Sequence, residues 1–460
     1  MPIQIELPYP EQVGSFFAPL AETPWAMWLD SGHPAVSGGW SDVLVAFPRM
    51  ALVARGNSVH IEEEGGGVRD VLAAPLESLA RCLPATSGGE YAGGAVGYFS
   101  YDLARQYLDL PDTARDEEHI PDMAVGIYDG CVRVDHEQKR CQLLAQDTES
   151  GRRWAKRMEE VLTGAHRPSP STFAVLDEVR SNLEFSGYAK AFNTVQDYIR
   201  AGDCYQINLA MRFSAPCRGH PWSLYLALRE RSPAPFAAWM NFPFGQVLSS
   251  SPESFLSLKA GRVTTRPIKG TRPRGRDVQE DERLSAELAT SAKDRAENLM
   301  IVDLLRNDLG KVCTPGSINV SNLFQVERFA TVHHLVSTVT GHLAPDKTAV
   351  DLLAAAFPGG SITGAPKQRA MEIIESLEPN RRGVYCGALG YLGLDGSMEL
   401  NIAIRTLVCS NGQIRYWAGG GLVADSDVQG EYQECLDKGR AMKEVLDGFK
   451  ASTVGSGRIP

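Results

Sequence analysis

The chain contains no Cys-x-x-Cys pair, and its nine cysteines, at 82, 131, 141, 204, 217, 313, 386, 409 and 435, follow no paired framework. That argues against a zinc ribbon or a disulfide-stapled scaffold, so the thiols read as reduced packing residues of a cytoplasmic protein. No cysteine sits on a glycine-flanked strand-to-helix turn with histidine and acidic partners, which excludes a glutaminase site of the usual kind. No apolar run approaches the length of a membrane span, and Met1-Pro2-Ile3-Gln4-Ile5-Glu6 has no basic stretch leading into an apolar one. Membrane insertion and secretion are therefore not expected. Positive charge is also short, with 46 Lys and Arg against 56 Asp and Glu. The net charge of −10 repels nucleic acid and anionic membranes from the molecule as a whole.

At 460 residues and 43% hydrophobic content, the chain has ample core for one large domain or two to three ordinary ones. The stretch 166–172, with Pro168, Pro170 and three hydroxyl residues, reads as a connection. It divides an amino-terminal β-rich region, 1–170, from a second region, 171–460. Helical spacing is expected over 151–163, Tyr188–Ala201, Pro221–Arg231, Ser291–Leu309, Thr348–Phe357, Ala365–Glu378 and Gln429–Lys450. Strand-like runs such as Val43–Phe47 and Ala95–Phe99 separate them, and Gly94-Ala95-Val96-Gly97-Tyr98 recurs in kind as Gly387-Ala388-Leu389-Gly390-Tyr391. Small residues in such runs allow tight strand packing or backbone approach to a ligand. Helices mixed with many hairpin-like strands indicate an α+β fold rather than a doubly wound parallel sheet.

Positive charge does cluster once, in Arg266-Pro267-Ile268-Lys269-Gly270-Thr271-Arg272-Pro273-Arg274-Gly275-Arg276. A local basic cluster in an acidic protein suits a small anion better than a polyanion. Lys269 is its single amine. Arginine stays protonated, whereas a lysine that loses its proton is a nucleophile, and nearby guanidinium charge is expected to depress its pKa. A second anion-binding feature is Phe357-Pro358-Gly359-Gly360-Ser361-Ile362-Thr363-Gly364-Ala365-Pro366-Lys367, which lacks the phosphate-loop pattern. Here Pro366 fits the first position of a helix whose free N–H groups favour a substrate carboxylate or a phosphate. Glu431 and Glu434, three apart on the last helix, share one face and can converge on one ion, although spacing alone favours solvated helix glutamates.

Pro267 to Gly275 resembles the signature segment of the chorismate-using enzymes, a family that includes anthranilate, isochorismate, salicylate and aminodeoxychorismate synthases. Separate motifs extend that resemblance over roughly 180 to 448, and more loosely over the first 170 residues. It implies large mixed or antiparallel sheets packed as a β-sandwich with helices outside. Most branches carry alanine at the position of Lys269, and the lysine form resembles the aminodeoxychorismate synthase branch of folate biosynthesis. Anthranilate synthase is the alternative that shares the pocket without the lysine. An anion- or nucleic-acid-binding regulator would need the basic stretch alone.

The resemblance implies roles residue by residue. Lys269 is the nucleophile, Glu253 the general acid/base and His334 the active-site histidine; of the adjacent His333 and His334, strand alternation lets only one reach the site. Arg405, Tyr385, Ser361, Lys367, Gly419 and Gly421 fall at substrate-pocket positions, the glycines offering backbone N–H groups. Gln206 stands where isochorismate formers carry a water-activating lysine, a role glutamine does not fill. Glu297 and Glu434 match Mg²⁺ ligands, with Glu431 beside them, direct or through water. Ser31, Pro235, Phe236 and Ala237 fall where family members contact tryptophan; anthranilate synthases differ at both stretches, so feedback inhibition is not carried over. The expected reaction is amination of chorismate, with ammonia from a separate glutamine amidotransferase subunit.

Overall fold

The computed structural model describes residues 2–36, 41–83, 92–164, 172–329 and 332–451. The connection expected at 166–172 lies, apart from Thr172, outside these residues. Among the described residues the strands form a 13-stranded and a 12-stranded sheet, both built from antiparallel ladders. Both sheets draw strands from either side of the expected connection. In the larger sheet Met27–Asp30 pairs with Phe236–Phe242, and in the smaller Gly94–Phe99 pairs with Ala388–Gly393. The α+β sandwich expected above is the fold observed.

Strand alternation supplies two cores. Met27, Val45 and Met240 point between the sheets, into a core that holds Tyr98, Phe99 and Val125 of the smaller sheet. Their neighbours Trp28, Leu44 and Trp239 point the other way, against helices that cover the outer face of the larger sheet. The last helix, Val428–Gly448, shows why such segments are helical: Asp427 caps it through the Gly430 N–H at 2.8 Å, and Cys435, Gly439, Met442 and Leu446 repeat on one buried face. Ser291 caps Ala292–Gly310 by accepting from the Asp294 N–H at 3.3 Å. Pro366 sits one residue earlier than expected, as the N-cap of Lys367–Leu377. Among the described residues no helix is long and apolar enough to cross a membrane.

The two glycine-containing echoes turn out to be neighbours. They pair antiparallel with Gly97 opposite Gly390, and a Cβ at Gly97 would lie 2.0 Å from the Ala124 carbonyl oxygen. Close strand packing, not a ligand, requires the small residue there. Gly97→Ala is therefore expected to cost about 1–3 kcal/mol through overpacking, measured as a lower urea midpoint with an unchanged denaturant slope.

Candidate active site

Glu253 and Arg405 occupy equivalent places in the fold. The chain passes from Gly245–Ser251 in the larger sheet to Ser254–Lys259 in the smaller, and Glu253 lies in that crossing. It returns from Met398–Ile402 to Thr406–Ser410, and Arg405 lies in the return. Hydrogen bonds lock the two crossings together: Ile402 N–H to the Glu253 carbonyl at 3.0 Å, Ser250 N–H to the Arg405 carbonyl at 3.0 Å, and Ser251 Oγ to the Ile402 carbonyl at 2.6 Å. Beside them opens a cavity of about 620 Å³.

Lys269 enters it from the edge strand Ile268–Pro273, its Nζ donating to the Ser361 carbonyl at 3.3 Å. Ser361 Oγ donates to Glu253 Oε1 at 2.9 Å, so one residue touches both. Burial pushes the Lys269 amine below its ordinary pKa, helped by the Lys438 charge and opposed by Glu297, Glu253 and Glu434. Neighbouring arginines are not the cause. Arg266 pairs with Glu327, Arg272 with Glu287 at 2.9 Å and Asp294 at 3.2 Å, and Arg274 with Asp281 at 2.7 Å. Burial moves Glu253 the opposite way, above the usual carboxylate range, against the Ser361 hydrogen bond and the Lys269 charge.

His334 and His333 face opposite sides of Val332–His342 as expected. His333 is sealed behind the strand with Nε2 2.8 Å from Asp281 Oδ1, while His334 lines the cavity with Nδ1 2.9 Å from Thr271 Oγ1. Burial and the Arg405 charge push His334 down to about 4, so at neutral pH it is an uncharged imidazole. Arg405 lines the same cavity, and burial alone lowers its pKa. Among the described residues no carboxylate pairs with it, so its guanidinium is free to take an anion. Tyr385 lies flat against Trp417, with centroids 5.9 Å apart and planes at 6°.

Glu297, Glu431 and Glu434 also face this cavity, brought from two helices. Burial raises Glu297 and Glu431, and the Glu431 charge adds to the first shift and the Glu434 charge to the second. Burial also acts to raise Glu434, but Lys438, at 2.7 Å, together with the Lys293 and Lys269 charges outweighs it and holds the group low. Among the described residues no three His, Cys, Asp or Glu side chains are arranged to hold a metal by themselves. One or two carboxylates completed by water and substrate is the mode magnesium uses, and a cation here would relieve the repulsion that burial imposes. The donor set fits Mg²⁺.

Gly419 and Gly421 line the wall from Gln413–Leu422, and what Gly421 supplies is space. A Cβ there would lie 2.5 Å from Gln206 Nε2 and 3.5 Å from Lys269 Nζ. Gln206 is fully buried behind that wall, and neither amide atom has a hydrogen-bond partner. Lys367 does not line the cavity: its Nζ donates to Asp308 and to the Ala356 carbonyl, both at 2.7 Å, and so pins its own helix to the preceding ones. Nor does the start of that helix reach the cavity, which meets this loop at Ser361 and Ile362. Sequence reading missed Lys438 and Asn208, which do line it. Position held the signal for both, since Lys438 follows Glu434 by one helical turn and Asn208 shares a strand face with Gln206. Ser31, Pro235, Phe236 and Ala237 line a separate cavity of about 530 Å³, together with the polar groups of Asp30, Arg266, Glu327 and Asn401.

The family described as chorismate binding enzyme matches residues 39–444. Aminodeoxychorismate synthase component 1 of Klebsiella aerogenes is 46% identical across 95% of this chain and 97% of its own length. The protein of the same name from Escherichia coli is 45% identical across 94% of this chain and 95% of its own. Among solved structures, anthranilate synthase component I from Streptococcus pneumoniae superposes with a TM-score of 0.79 at 33% identity, covering 88% of this chain and 93% of that one.

The charges around Lys269 make a signed forecast. Glu297→Gln removes a group that raises its pKa and should let it lose its proton at lower pH, whereas Lys438→Met should move the transition to higher pH. The pH dependence of Lys269 acylation, read by peptide mass, measures both. No displacement in either variant would refute this electrostatic account.

Proposed function

The chain belongs to the chorismate-binding enzyme family, and from that premise we propose that it aminates chorismate at C4 to give 4-amino-4-deoxychorismate. The observation that carries this reading is Lys269: a buried amine held below its ordinary pKa, joined through Ser361 to a carboxyl held above its own. An amine that gives up its proton more readily and a carboxyl that holds its proton more tightly are the two groups a hydroxyl displacement needs.

In the first half-reaction the Lys269 amine attacks C2, the ring double bonds shift, and Glu253 protonates the C4 hydroxyl so that it leaves as water. In the second, ammonia attacks C4, the double bonds shift back, and Lys269 departs from C2. Arg405 offers its unpaired guanidinium to a substrate carboxylate. Neutral His334, bonded to Thr271, fixes the strand from which Lys269 projects, leaving no second cation beside Arg405. Glu297 and Glu434, with Glu431 adjacent, would hold Mg²⁺, which when bound supplies positive charge to the substrate carboxylate. The enolpyruvyl group stays in place, because the scheme ends when lysine leaves.

Incubated with chorismate, Mg²⁺ and ammonium salts at raised pH, the chain should release a product of the aminated mass that retains pyruvate, and chelation should abolish turnover. Glutamine should support the reaction only when an amidotransferase subunit is added, because no cysteine here has glutaminase context. Release of anthranilate and pyruvate, or efficient use of glutamine by the chain alone, would overturn the corresponding half of this reading.

Lys269→Arg separates a nucleophile from a mere cation. Arginine keeps the charge and cannot form the adduct, so turnover should disappear, while Glu253→Gln should slow the reaction by about 10²–10⁴-fold. An arginine variant that works nearly as well as the parent would reduce Lys269 to an electrostatic contact.

A further inference from the structure

Two of the nine cysteines, distant in sequence, meet in space. Cys217, near the end of Gln206–Gly219, and Cys409, in Thr406–Ser410, are 192 positions apart, and their sulfur atoms lie 3.6 Å from each other. Both strands pair with Gln413–Leu422, one on each side, and the cysteines flank its start where it leaves the turn at Asn411 and Gly412. Backbone bonding fixes this placement, since Cys217 N–H donates to the Gly412 carbonyl at 2.9 Å. Cys217 and Cys409 are 5% and 6% exposed as residues, and next to them Arg218, Gly219, Asn411 and Gly412 are exposed to solvent. A reagent the size of a peroxide therefore has a short way in.

We propose that Cys217 and Cys409 are a redox modification site, in which a hydroperoxide converts the two thiols into a reversible intramolecular disulfide. The Cys217 thiolate attacks one peroxide oxygen and breaks the O–O bond, which leaves a sulfenic acid and releases hydroxide that takes up a proton as water. The Cys409 sulfur then attacks the Cys217 sulfur, the S–O bond breaks, and the hydroxyl leaves with the Cys409 proton as a second water. Two thiols and one hydrogen peroxide thus become one disulfide and two waters, the two electrons passing from sulfur to oxygen.

Position assigns Cys217 the attacking part, since Arg218 and Gly219 that follow it are exposed whereas Val408 and Ser410 on either side of Cys409 are buried. The hydrogen bond with Cys409 holds the Cys217 pKa below the ordinary thiol value, against burial and with help from the Arg415 guanidinium. Burial pushes Cys141, Cys386 and Cys435 up to about 12, which leaves them poor nucleophiles. The crosslink would join strand ends remote from the Gln206 end of the longer strand. Its expected consequence is resistance to unfolding with the catalytic cavity undisturbed, because closing a long loop restricts the unfolded chain.

The purified chain treated with a small excess of hydrogen peroxide, denatured and alkylated, should lose the mass of two hydrogens. A Cys217-to-Cys409 linked peptide should appear, dithiothreitol should reverse it, and the thermal midpoint should rise on oxidation. In Cys409→Ser the Cys217 sulfenic acid has no resolving partner and should be trapped as a dimedone adduct; Cys409→Ala serves if that variant misfolds. Alkylation of both thiols after peroxide, linkage only between chains, or oxidation confined to other cysteines would overturn the proposal, and the unaltered chain alone decides it.

Discussion

The candidate site depends on two crossings of the chain between the sheets that run side by side and bond to each other. Glu253 and Arg405 belong to no ladder, yet each contributes a backbone carbonyl to a bond with the other crossing's neighbourhood. A sandwich whose strands change sheets must leave irregular backbone at the corner, and that backbone has to be satisfied locally. Here the satisfied corner is also where side chains leave the alternation of the sheets and meet in one cavity. Arg405 accepts a left-handed φ of 49° there, a conformation non-glycine residues rarely adopt.

A buried ion pair carries the same constraint to the rest of the wall. Arg382, 1% exposed, bonds Glu378 through Nε at 2.9 Å and Nη2 at 2.7 Å, and also reaches the carbonyls of Ile362 and Asn208. Glu378 in turn accepts the Ala210 N–H at 2.9 Å. The pair thus joins the loop that bears Ser361, the strand that bears Gln206 and Asn208, and the end of the helix that Lys367 begins. Loss of either member would strand a charge in the interior, a penalty of about 3–5 kcal/mol. Arg382 also lies 5.7 Å from the Tyr385 ring, so one guanidinium buttresses an aromatic wall of the cavity.

Chemical readiness comes mostly from burial rather than from a dedicated partner. Removing water raises Glu253 and lowers Lys269, moving an acid and an amine toward each other and toward neutral pH. Each also tempers the other's shift by charge. The carboxyls of Glu297 and Glu431 carry the same bias as Glu253: burial holds them above their usual range. Ionisable groups with unfavourable solvation are therefore concentrated in one place, as a site that exchanges protons and binds charge requires.

Local signals determined much of this from sequence alone: the capped helices such as Ala292–Gly310, the opposed faces of His333 and His334, the shared face of Glu431 and Glu434, and the chemistry open to a lysine among arginines. These follow from periodicity and functional groups, which do not depend on what lies across the fold. Register and long-range pairing decided the rest. Only the folded chain shows that strands from both ends share both sheets, that Arg266, Arg272 and Arg274 are spent on carboxylates, and that Lys438 and burial act on Lys269 instead. It alone turns Lys367 to Asp308, hides Gln206 behind Gly421 and sets Cys217 against Cys409. A residue's type fixes what it can do, and its desolvation and partners, set by residues far away in sequence, fix whether it does so.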